Sequence, residues 1–80
     1  MKVYQYFCPL GDIDGEDNVY LTYDKCLESL INVLKDEDWV HEMYVDESSC
    51  ENNPLPYMDW LTKKCKENED FWINEITVIE

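Results

Sequence analysis

The chain contains no arginine and no alanine, a single histidine, two glycines and no long apolar run. Each shortage removes a class of activity. Without arginine, six lysines are the only strong cations against nineteen aspartates and glutamates, a formal net charge of −13. A field of that sign repels phosphate backbones and anionic lipid, which disfavours direct binding of nucleic acid or of a membrane surface. With one histidine, acid–base or nucleophilic chemistry near neutral pH has to converge on His41. A partner for it exists in Cys50, but the segment SSCENN around that thiol carries no nucleophile signature. Gly11 and Gly15 follow no phosphate-cradling fingerprint, so nucleotide chemistry lacks support. The four cysteines (Cys8, Cys26, Cys50, Cys65) include no C-x-x-C pair, which disfavours structural zinc. No stretch is apolar enough for a signal-peptide core or a membrane span. The expectation is a cytoplasmic protein, in the bacterial host if phage-encoded, with its cysteines kept as reduced thiols. The missing alanine, beside abundant Lys, Asn, Ile and Tyr, is the usage of an AT-rich coding sequence and points to a low-GC bacterium or a mobile element within one.

What is present favours a folded chain. Hydrophobic residues make up 45% and aromatics 14% of the sequence, too much core material for a disordered segment. Eighty residues suffice for one domain, 1–80. The alternating, β-rich stretch KVYQYFC predicts a strand over residues 2–8, and VYLTY a second one across an acidic, glycine-bearing turn. Asp24 reads as an N-cap for a helix from about Lys25 to Lys35, with Leu27, Leu30, Ile31 and Leu34 at the spacing of one buried face. Asp36, Glu37 and Asp38 then fall at the C-terminus of that helix, where acids oppose its dipole. WVHEMYV predicts a third strand by composition, with both of its faces mixed. A second helix is predicted from about Leu55 to Lys66, and FWINEITVI as a last, well-covered strand. The order β-β-α-β-α-β implies an α+β two-layer sandwich, with a four-stranded, mainly antiparallel sheet backed by two helices on one face.

Two acidic constellations stand out. The loop DIDGED groups Asp12, Asp14, Glu16 and Asp17, carboxylates that suit a hard cation, but counted as a calcium loop it puts Asp17 where glycine is required and Tyr23 where a bidentate glutamate is required. A solvated turn fits better, and no metal or cofactor is expected. The second constellation interleaves acids with aromatics: Asp36, Glu37 and Asp38 beside Trp39, Glu42 beside Tyr44, then Asp46, Glu47 and Glu51. Carboxylates steer the encounter with a cationic partner while Trp and Tyr supply contact area, a combination suited to an interface. The competing account is that the rings are core and the acids a solvated rim.

With KVYQYF at the start, WINEITVI near the end and an acidic interior, the chain resembles the small orphan proteins of phages and mobile elements. That group includes anti-CRISPR and other anti-defence proteins, several of which mimic DNA in charge. The resemblance covers the layout of the whole chain and assigns no residue. It implies a non-enzymatic inhibitor that occludes the nucleic-acid groove of a larger bacterial enzyme such as a CRISPR effector, with Asp36 to Glu51 as first patch and the DIDGED turn as second. Two other readings are an immunity or antitoxin-like protein that neutralises a basic toxin nuclease, and a metal-dependent regulator or minor enzyme built on His41 or the DIDGED loop.

Overall fold

The helical periodicity around Leu27 builds the first helix, α1, over Tyr23–Leu34. Its buried residues are Cys26, Leu27, Leu30 and Leu34, with Ile31 half-buried beside them. The N-cap is Thr22 rather than Asp24: the Thr22 hydroxyl accepts the Lys25 amide at 3.2 Å, and Asp24 sits inside the first turn, where its charge favours the dipole. The computed structural model describes residues 1–10 and 13–79 and adds to α1 the strand β1 (Lys2–Phe7), helices α2 (Asp38–Ser48) and α3 (Tyr57–Glu67), and strand β2 (Trp72–Thr77).

The expected four-stranded sheet does not form. Among the described residues the sheet has two antiparallel strands, β1 and β2, in a register that sets Lys2 opposite Thr77 and Phe7 opposite Trp72. The segment VYLTY contributes one bridge only: Tyr20 exchanges two 2.8 Å backbone bonds with Tyr4 on the edge of β1 away from β2. Extension of that strand is stopped by the helix that follows, because Thr22 is needed as cap and Tyr23 is already helical. The last strand is also less covered than its composition suggested, with Asn74 to Thr77 exposed.

The largest correction concerns WVHEMYV, which is helical. The faces that look mixed at a period of two separate cleanly at 3.6: Val40 is buried and Trp39, Met43 and Tyr44 are half-buried, while His41, Glu42, Val45 and Asp46 face solvent. This also relocates Glu37 and Asp38. They are the N-cap and first residue of α2, where negative charge favours the dipole, so they are not misplaced at the end of α1.

Tyr6, Leu30, Leu34, Val40, Leu61 and Phe71 form the centre of the core, completed by Cys26 and Cys65. α1 packs across the sheet and against α3, and α2 rests on α3. One turn locks the segment after β1. Gly15 adopts φ +84°, its carbonyl accepts the Asn18 amide at 3.0 Å, and the buried Tyr6 hydroxyl donates to the Asp14 carbonyl at 2.5 Å. A Cβ at Gly15 would collide with the Tyr6 phenol oxygen. The molecule is elongated, with extents of 50 × 22 × 17 Å. Its radius of gyration of 13.6 Å exceeds the about 12 Å of a rounder chain this long. No helix among the described residues is long and apolar enough to cross a membrane.

Candidate functional site: the acidic face of α2 and its junction with α3

On α2 the exposed carboxylates Asp38, Glu42 and Asp46 recur every fourth residue. At a rise of about 1.5 Å per residue they form a row with about 6 Å between neighbours. None of the three takes part in an ion pair among the described residues, where the paired lysines are Lys2, Lys63 and Lys64. Like charges at i,i+4 destabilise a helix by about 0.2–0.5 kcal/mol per pair, so the row is a local cost to α2. Its last turn holds no cation, leaving Asp46 unfavourably placed near the negative end of the dipole.

The other members of the acidic stretch have individual fates. Asp36 and Glu51 are exposed and Glu37 is half-buried at the start of the helix. Glu47 turns toward α3, where Lys64 Nζ lies 2.8 Å from its Oε1 and 3.2 Å from Asp70 Oδ2. Lys64 is only 13% exposed. Burial pulls its pKa down, but the hydrogen bonds it donates to Glu47 and Asp70, with the charges of those carboxylates, outweigh that and leave it raised. Trp39 tilts against Phe71 with centroids 6.0 Å apart and belongs to the edge of the core. Tyr44 is likewise committed: its hydroxyl donates to the Leu55 carbonyl at 2.6 Å and its ring meets Trp60 edge-on at 5.2 Å.

Rings join α2 to α3. His41 stacks on Tyr57 at 4.2 Å, Tyr44 meets Tyr57 at 5.3 Å, and Tyr57 stacks on Trp60 at 6.0 Å. Since Val40 is the only fully buried residue of α2, these contacts carry much of its attachment. Burial pushes the Tyr57 phenol up, and the charge of Asp36 adds to the effect. Beside the rings, α2, α3 and the segment between them line a partly open pocket of about 100 Å³. Tyr44, Trp60, Pro54 and Leu55 supply its apolar lining; Glu47, Glu51 and Glu67 its acids; Lys63 and Lys64 its cations.

The turn after β1 is a separate place. Asp14 and Asp17 are exposed or nearly so, but Glu16 is occupied: its carboxylate accepts the Ile13 amide at 3.2 Å and the Cys8 amide at 3.5 Å, so it shapes the turn. Asp12 lies outside the described residues. Among those described, no group of three His, Cys, Asp or Glu side chains is arranged to hold a metal ion. His41 and Cys50 are not brought together. They are nine residues apart at the two ends of the α2 region, about 13 Å at helical rise, and the Cys50 thiol faces the Asp46 carbonyl at 3.8 Å.

Sequence reasoning passed over Leu55, Trp60, Lys63 and Lys64, which complete the junction. A readable signal was Lys64 itself: it follows Trp60 by four residues and Leu61 by three, an inward helical position where a lysine needs carboxylate partners. Compared with protein-family models, with curated proteins and with solved structures, the chain matches none.

Proposed function

We propose that this chain is an acidic inhibitor that docks on the cationic, nucleic-acid-holding groove of a larger bacterial enzyme, of which a CRISPR effector is one kind, and blocks it by occlusion. The observation that carries the reading is the row Asp38, Glu42, Asp46. Three exposed carboxylates without an ion pair among the described residues lie along one line of a helix at a cost to that helix, and the chain has a net charge of −13. Groups that grip phosphates accept carboxylates as well, and charge complementarity speeds association and selects the partner. The turn bearing Asp14 and Asp17 offers a second acidic point of contact.

The test is a tagged pull-down from lysate of a low-GC bacterium, washed with rising salt, run beside a Glu42→Lys/Asp46→Lys variant. Capture of a basic nucleic-acid enzyme by the parent protein, weakened by salt and lost in the variant, is the expected result. Equal capture by the variant would remove the row from the interface, and capture that resists salt would remove the electrostatic mechanism.

A further inference from the structure

We infer that the cavity at the α2–α3 junction is the anchor point of the interface and takes one arginine side chain of the basic partner. This rests on the proposed function for the sign of the partner's charge, and adds where and how the partner is gripped.

Size decides the class of ligand first. Pockets for metabolites and cofactors span about 300–1,000 Å³, whereas this one measures about 100 Å³. That is room for the end of one side chain, the scale of the anchor pockets in which a few residues of a protein partner concentrate binding energy. The lining decides its chemistry. Tyr44, Trp60, Pro54 and Leu55 offer apolar walls for a methylene stem, and the 2.6 Å bond from Tyr44 to the Leu55 carbonyl holds one wall in place before any partner arrives.

Charge decides its sign. Lys64 is committed to Glu47 at 2.8 Å and to Asp70 at 3.2 Å, and Lys63 reaches Glu67 at 3.8 Å. Glu51 is the one lining carboxylate left without an ion pair among the described residues. An incoming cation therefore meets an unspent carboxylate above aromatic walls. A planar guanidinium fits that setting better than an ammonium, because it binds a carboxylate through two parallel bonds and packs against rings while weakly hydrated. The pocket lies on the other side of α2 from the acidic row: Tyr44, Glu47 and Ser48 line it from the face turned toward α3, while Asp38, Glu42 and Asp46 face solvent. The row draws a basic partner toward α2, and the pocket's own carboxylate, Glu51, receives the arginine.

The experiment is a ¹H–¹⁵N NMR titration of the whole protein at low salt with three blocked tripeptides, of arginine, of lysine and of citrulline, the neutral isostere of arginine. Arginine should shift the Trp60 indole, Leu55 and Glu51 signals saturably, at least tenfold more tightly than citrulline and more tightly than lysine. Glu51→Gln, in an exposed segment, should weaken that binding about fivefold while leaving the shifts at Asp38, Glu42 and Asp46 in place. If the cationic peptides move only the signals of the α2 row and spare Trp60, the pocket is not the anchor although the acidic face still binds cations. If Trp60 responds and the row stays silent, the row is removed as the steering surface. Equal binding of citrulline, or tighter binding of lysine, would overturn the assignment to arginine.

Discussion

Glu42 stands between Asp38 and Asp46 on α2 and so takes part in two repulsive i,i+4 pairs, each about 0.2–0.5 kcal/mol. Glu42→Gln removes both and should stabilise the fold by about 0.7 kcal/mol. Glu42→Lys replaces them with two attractive pairs. In the pair with Asp46 the new cation precedes the acid, which is the less favourable direction, so the gain is nearer 1 kcal/mol than twice the glutamine value. For a domain of this size that raises Tm by about 4–8 °C. The assay is thermal melting by far-ultraviolet circular dichroism at about 10 mM and at about 1 M salt, where the Debye length falls from about 30 to about 3 Å. Asp17→Lys, in the turn after β1, is the control that changes net charge equally without a helical neighbour. The gain of Glu42→Lys over this control should appear at low salt and vanish at high salt. A loss of Tm, or a gain no larger than the control's, would refute the reasoning, because in an extended strand residues four apart lie about 13 Å from one another and scarcely interact. The stabilised variant should also be the one that fails to capture a basic partner.

Gly15→Ala should cost at least about 2 kcal/mol, from the left-handed backbone and the collision with Tyr6, and lower Tm by about 8 °C or more; a change under about 2 °C, far below that scale, would show that the turn does not need glycine. As pH rises into the alkaline range the buried thiols act before the buried Tyr6 phenol, whose ordinary value is 10.0. Burial pushes Cys26 up to about 11 and Cys65 to about 12 from an ordinary 9.0, so the folded state retains protons that the unfolded chain releases. That stability is complete below about pH 9 and lost as pH rises toward 11 to 12, at about 1.4 kcal/mol per pH unit for each thiol. Melting temperatures should therefore fall steeply between about pH 9 and 10.5, and a flat profile across that range would mean that the thiols are not buried in the folded state.

The legible parts of this fold are those in which one physical signal acts alone. Leu27, Leu30 and Leu34 repeat at helical spacing, and KVYQYF alternates among β-formers; both appear as expected. The helix around Trp60 and Leu61 is found within two residues of its expected limits. Where two signals compete, composition misleads. Trp39, Val40, Tyr44 and Val45 favour strands intrinsically, yet only helical spacing puts Val40, Met43 and Tyr44 on one side and Glu42 and Asp46 on the other, so burial overrides propensity. VYLTY fails for a different reason, because a cap and a helix start consume its second half. The acidic row is written in the sequence at 38, 42 and 46, but its alignment depends on the helix, and the pocket on the other side of that helix depends on α3 approaching from about fifteen residues downstream.

The elongation of the molecule changes what its charge means to a partner. At physiological ionic strength a charge is felt over about 8 Å, and the long axis of 50 Å is therefore about six screening lengths from end to end. A protein groove engaging one end does not sense a body carrying −13; it senses the handful of carboxylates within reach. Substitutions at the far end should leave affinity untouched even when they alter net charge by the same amount, so isoelectric point is a poor guide to function among variants of this chain, and position along the axis is the variable to control.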